Sequence, residues 1–137
     1  MKQNLIKLIK NCKSDYYKFP VVAILECFDG KKFNGVNVET SSPHAGTCAE
    51  RNVLYSALAN GYDKKDFKAL HIMCGLGNII YPCMICRQAL VDLCDNSLDI
   101  VLYDKNSDNI IHTTIEELAP NAFTKGDLKW KVDLLVW

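Results

Sequence analysis

Two runs of this chain constrain its fold more than anything else in it. Val21 to Phe28 is rich in β-formers and almost wholly apolar, with Glu26 the exception, and Phe67 to Cys74 is again mostly apolar. A strand that is apolar on successive residues, rather than on alternate ones, is buried on both faces. The chain must therefore place cover on each side of a sheet, and the segments between the strands can supply it. Residues 4–12 set Leu5, Leu8, Ile9 and Cys12 at helical spacing with lysines opposite, which predicts an amphipathic helix. Residues 15–19 form a turn ending at Pro20. Asp29-Gly30 marks a tight hairpin from the first apolar strand into Lys32–Val38. After a loop at 40–46, Thr47 reads as the N-cap of a helix to about Asn60, stopped by Gly61. Pro82 opens a further helix to about Cys94. Leu98 to Tyr103 and Asn109 to Thr113 read as a fourth and a fifth strand, and Glu116 to Leu118 as a short helix limited by Pro120. The expectation is a three-layer α/β/α sandwich around a central mixed five-stranded sheet. Residues 129–137 receive no place in it.

Composition narrows the function. The chain has 137 residues, one domain's worth, with 49% apolar and 23% charged residues, close to the globular average. Sixteen basic residues balance sixteen acidic ones, which argues against a polyanion-binding face and so against nucleic acid as a partner. No apolar run approaches the roughly 20 residues that span a bilayer. Lysines at 2, 7, 10 and 13 break up the N-terminus, unlike a signal peptide. The seven cysteines, at 12, 27, 48, 74, 83, 86 and 94, are an odd number and make no disulfide framework. Free thiols or a metal site in the reducing cytoplasm fit them better.

Two cysteine groups carry chemistry: Thr47-Cys48-Ala49-Glu50-Arg51 and Pro82-Cys83-Met84-Ile85-Cys86-Arg87-Gln88. Each falls at the predicted start of a helix, where backbone N–H groups and the helix dipole favour a thiolate. Cys83 and Cys86, three apart, share one helix face, and Cys48 would approach from the other helix. No fourth ligand is apparent nearby. A zinc ion with three protein ligands keeps one position for water and lowers the pKa of that water to about 7. Glu50, two residues after Cys48, is placed to carry the water's proton. The pattern C-x-E…P-C-x-x-C is that of zinc nucleobase deaminases, in which the glutamate lies outside the coordination sphere.

Over about residues 14–128 the chain resembles the small homotetrameric cytidine deaminases. Besides C-A-E-R at 48–51 and P-C-x-x-C-R-Q at 82–88, it carries Phe19-Pro20-Val21 for F-x-V and Asn37-Val38-Glu39 for N-x-E. Glu117-Leu118-Ala119-Pro120 with Phe123 stands for E-L-L-P-x-x-F. The resemblance implies one Zn²⁺ per subunit on Cys48, Cys83 and Cys86, with Glu50 as the catalytic proton carrier. It implies that Asn37 and Glu39 hold the ribose hydroxyls and that Phe19 packs against the pyrimidine. The backbone of Ala49 and the side chain of Glu50 would recognise the base, and Phe123 would close a neighbouring subunit's pocket. Arg51 would donate to the cysteine sulfurs, drawing charge from a site that three thiolates leave formally negative. The implied reaction is hydrolysis of cytidine, and of deoxycytidine, to the uracil nucleoside and ammonia, a step of pyrimidine salvage. Three positions depart from the family: Val22 replaces a glycine, Pro43 (followed by His44) stands where a tyrosine is frequent, and Tyr81 replaces the serine before Pro82.

Rival readings stand beside these. Thr47 and Glu50 also spell a capping box, T-x-x-E. Asn37 and Glu39 could be ordinary polar residues at a strand end. Cys12, Cys27, Cys74 and Cys94 read as small buried apolar residues. The three histidines, His44, His71 and His112, lack ligand spacing to one another. At the level of function, the alternatives are a deaminase of another amino-heterocycle such as blasticidin S, and an inactive or structural zinc-binding homologue.

Overall fold

The structure, a computed structural model, describes residues 1–128; the extension at 129–137 lies outside the described residues. Five strands form one sheet: β1 (Val21–Cys27), β2 (Lys32–Val36), β3 (Phe67–Cys74), β4 (Asp99–Tyr103) and β5 (Ile110–Thr113). Their order is β2-β1-β3-β4-β5. Every neighbouring pair is antiparallel except β3 and β4, which are parallel. The exception follows from connectivity. Between β3 and β4 runs the helix α3 (Met84–Leu93), the crossover that a parallel pair requires. The other helices are α1 (Lys2–Leu8), α2 (Ala49–Ala59) and the short α4 (Ile115–Leu118). The β1–β2 hairpin turns where expected, with Gly30 at φ +90° and the Asp29 Oδ1 accepting from the Lys31 N–H at 2.9 Å.

Both faces of the sheet are covered. On one, Ala23, Leu25, Leu70, Ile72, Ile100 and Leu102 pack with Val53 and Leu54 of α2 and Leu90 of α3. On the other, Val22, Ile24, Met73, Val101 and Tyr103 pack with Leu5 of α1. Val22, one of the three departures from the family pattern, is fully buried in this second cluster, so its methyl groups serve the α1 face. His71 sits among these buried residues between Glu26, 3.2 Å away, and the Tyr103 hydroxyl at 3.0 Å.

Tertiary pairing moves several predicted boundaries. The first helix ends at Leu8, followed by a 3₁₀ turn at Ile9–Asn11, instead of running from 4 to 12. The chain must leave the helix there because Lys13 pairs with Val38 in a parallel bridge. Cys12, expected to be buried, is half-exposed, and its thiol donates to the Val21 carbonyl at 3.4 Å; Cys27, Cys74 and Cys94 are buried as expected. Thr47 does not cap α2. It exchanges backbone hydrogen bonds with Val38, both at 2.9 Å, and the N-cap falls to Cys48. Likewise Pro82 lies just ahead of α3, whose N-cap is Cys83.

One close approach fixes where α2 begins. A Cβ on Gly35 of β2 would lie 2.5 Å from the Ala49 carbonyl oxygen and 2.7 Å from the Val53 Cβ. Only glycine lets the first turn of α2 rest against β2, and this sets the depth of Cys48 and Glu50.

Candidate active site and metal centre

Cys48 and Cys83 hold the same position in two helices. Each is an N-cap with extended backbone, at φ −76°, ψ 156° and φ −64°, ψ 164°, and neither side chain caps its helix. Each thiol is thus free to turn away from its helix, while the first turn behind it presents unpaired N–H groups. Cys86, buried one turn into α3, completes the group. The three sulfurs lie within 4.8 Å of one another, and those of Cys48 and Cys83 are 3.7 Å apart. Zn–S bonds of about 2.3 Å at tetrahedral angles require sulfurs about 3.8 Å apart, so the cluster fits a zinc ion. Among the described residues no fourth histidine, cysteine or carboxylate joins these three.

The surroundings suit negative sulfur. Arg51, one turn beyond Cys48, donates from Nη2 to the Cys48 Sγ at 3.6 Å. Its buried Nε has no hydrogen-bond partner among the described residues, a cost that charge on the adjacent sulfurs offsets. Hydrogen bonding from Cys86, with Arg51 and Cys83 adding to it, holds the Cys48 thiol down at about 5. The same coupling, together with burial, pushes Cys86 up. Arg51 is raised in turn by its bond to Cys48.

Glu50 is 3% exposed and faces the cavity described below. Burial pushes its carboxyl up to about 7. The capping reading of this residue fails in the structure: α2 has no side-chain cap, and the Thr47 hydroxyl reaches only the Cys48 carbonyl, at 3.4 Å.

The cavity has a volume of about 840 Å³. Cys48, Glu50, Arg51 and Cys83 form one part of its wall, and Phe19, Asn37 and Glu39 another. Seven predicted site residues thus meet around one space although they come from four separate stretches of chain. Three do not line it. Ala49 and Cys86 are fully buried, and Phe123 is 57% exposed elsewhere. Phe123 belongs to a second groove beside α3, with Met84 and Pro120, and its carbonyl accepts from Gln88 Nε2 at 2.8 Å. Arg87, quoted above only as part of a pattern, donates to the Pro82 carbonyl and the Leu118 carbonyl, both at 2.7 Å. It ties the segment entering α3 to α4.

The wall also contains residues that sequence reasoning gave no role: Tyr17, Thr40, Ile79 and Ile80. Their only signal was adjacency to Phe19, Glu39 and Pro82. Pro43 and Tyr81, the other two departures, line the cavity as well, and Tyr81 stays half-exposed.

Residues 1–101 match the family described as the cytidine and deoxycytidylate deaminase zinc-binding region. The chain belongs to this family. The family's description names a zinc-binding region, and the three-cysteine cluster could hold such an ion. Among relatives, the chain is 36% identical over 118 residues to the cytidine deaminase of Sporosarcina psychrophila, covering 86% of this chain and 85% of that one. It superposes on the crystal structure of cytidine deaminase from Burkholderia pseudomallei with a TM-score of 0.79 at 36% identity, covering 90% of this chain and 99% of that chain. A blasticidin-S deaminase of Bacillus cereus is 27% identical over 117 residues, 80% of each chain.

Proposed function

We propose that this protein hydrolyses the amino group of cytidine, and of deoxycytidine, giving the uracil nucleoside and ammonia. The observation that carries the reading is the meeting of Cys48, Cys83, Glu50, Phe19, Asn37 and Glu39 around one cavity. Cys48, Cys83 and Cys86 would hold zinc, which when bound supplies Lewis-acid activation of water at neutral pH. The remaining work falls to the chain. Phe19 packs against the pyrimidine, and the Ala49 backbone with the Glu50 side chain orients its polar edge. Asn37 and Glu39 take the sugar hydroxyls, groups that both donate and accept and so match an amide beside a carboxylate. Glu50 accepts the proton from water as oxygen adds to C4 and delivers it to N3. It then takes the remaining proton from the hydroxyl now on C4 and passes it to the amine as the C4–N bond breaks. Arg51 spreads the negative charge of the sulfurs.

The test is turnover, followed by ammonia release, on cytidine, deoxycytidine, cytosine, CMP and blasticidin S. Cytidine should be consumed. Free cytosine should be slower by about 100-fold or more in kcat/KM, because the sugar contacts orient the base. CMP should also be rejected, because no basic residue accompanies Asn37-Val38-Glu39. Turnover of blasticidin S alone would transfer the assignment to the second reading, which the Bacillus cereus relative favours. Absence of turnover on all five would leave a zinc-binding homologue.

Assembly belongs to the same proposal. Phe123 is exposed beside a groove on its own chain and lines no part of its own cavity. It would close a neighbour's site in a homotetramer of single-domain subunits. Light scattering should give four subunits, and a fully active monomer would overturn this. The free cysteines suit a reducing compartment, so we place the enzyme in the cytoplasm. No helix among the described residues is long and apolar enough to cross a membrane.

A further inference from the structure

The two polar residues assigned to the sugar are not idle in this structure. Asn37 Oδ1 accepts from the Val21 N–H at 3.0 Å, and its Nδ2 donates to the Phe19 carbonyl at 2.8 Å. Glu39 commits one carboxylate oxygen, Oε2, to two backbone donors, the N–H groups of Tyr16 at 2.9 Å and Tyr17 at 2.8 Å. All four partners lie on the segment 16–21, which brings Tyr17, Phe19 and Val21 into the cavity wall.

Ahead of Pro20 and Val21, which the sheet holds, the segment has little else to fix it. Tyr16, Tyr17, Lys18 and Phe19 are all exposed, and Tyr17 is 73% exposed. Lys18 stands at φ +55°, in the left-handed region that costs a residue with a Cβ. Its N–H closes the turn onto the Ser14 carbonyl at 2.9 Å. Just before the turn, the Lys13 N–H donates to the Asn37 carbonyl at 3.1 Å and the Glu39 N–H to the Lys13 carbonyl at 2.6 Å. The turn thus leaves the fold at Lys13 and is caught again by the side chains of Glu39 and Asn37.

We infer that Glu39 is a latch as well as a sugar contact: Oε2 pins the 14–18 turn, so that the wall carrying Tyr17 and Phe19 stands in place before substrate arrives, and Oε1 is left for the sugar. Glu39 is in this respect a positioning residue. Hydrogen bonds to a carboxylate are the strong kind, and two on one oxygen can hold an exposed turn. A carboxylate already immobilised by two backbone donors also loses less freedom when it meets a sugar hydroxyl. The inference rests on the nucleoside reading only in its kinetic arm.

Hydrogen exchange at the Tyr16 and Tyr17 amides, on zinc-loaded protein without substrate, reads the latch directly. Glu39→Ala should speed exchange at these two amides by about 10-fold or more, as expected for losing charge-assisted bonds, and leave β1 and β3 protected. Glu39→Gln keeps an oxygen that can accept both N–H groups and should retain most of the protection. Unchanged exchange at both amides in Glu39→Ala overturns the latch. The kinetic arm gives Glu39 the 3′-hydroxyl side of the sugar and uses 3′-deoxycytidine, which lacks that hydroxyl. On this substrate a residue that merely bound the hydroxyl would have nothing to lose, and Glu39→Ala would equal the wild type, which also overturns the proposal. The latch requires a further fall in kcat/KM of about 10-fold, carried mainly by KM and largely rescued in Glu39→Gln. If the wild type turns over no cytidine, the nucleoside reading fails by itself, and the exchange arm still decides the latch.

Discussion

Cys86→Ala is expected to lose zinc, activity and stability together. The side chain is fully buried one turn into α3, and only the Cys48 and Cys83 thiols would remain. Two thiols from two helices hold zinc weakly, and the fold forfeits the linkage between them. A ligand present at 1,000 times its dissociation constant stabilises the native state by about 4.1 kcal/mol, and the variant loses an increment of that order. Metal analysis should fall from one zinc per subunit towards zero, and thermal unfolding should move to lower temperature. A chelator provides the control. It should lower the wild-type midpoint nearly to that of the variant and shift the variant little, because the two losses are the same loss. A variant that kept both zinc and turnover would remove Cys86 from the metal site.

Glu50→Gln separates proton carrier from ligand. Glutamine preserves the shape of a side chain that is 3% exposed beside the sulfur cluster, and it removes no thiol. Zinc should stay near one per subunit and the fold should survive. Turnover should fall by about 10²–10⁴-fold, because an amide can hydrogen-bond to the base but cannot carry one proton of water to N3 and the other to the leaving amine. The fall should lie in kcat, with KM little changed, since the wall that binds the nucleoside is untouched. The capping reading makes the opposite forecast, since glutamine serves a capping box as well as glutamate does. Near wild-type turnover in a zinc-loaded Glu50→Gln protein would take Glu50 out of the mechanism.

The sheet and the chemistry were readable for different reasons. β1 and β3 announced themselves because a strand covered on both faces must be apolar at successive positions, a pattern that β4 repeats over a shorter stretch, Ile100 to Tyr103. The three-cysteine cluster was readable because its members come in two short groups, each at a helix start, so that two local patterns already specify three sulfurs. The ends of the elements were less legible, since long-range pairs set them. Thr47 has the chemistry of an N-cap but is held by Val38, and Cys12 has the spacing of a helix face but follows a helix that Lys13 must leave.

By itself, then, the order of residues determined the layered architecture, the three thiols, and Glu50 beside them, because each rests on periodicity or on spacing within one short stretch. Only the tertiary structure decided that Cys48, and not Thr47, occupies the N-cap position of α2, which left Glu50 free of capping and facing the cavity. Only it decided that Asn37 and Glu39 grip the backbone of Phe19, Val21, Tyr16 and Tyr17. The physical reason is common to both. A hydrogen bond to a backbone N–H or carbonyl does not depend on which side chain its owner carries, so it leaves no trace in composition or spacing. Such bonds exist only once folding has set residues 13–21 against 37–39, and 38 against 47.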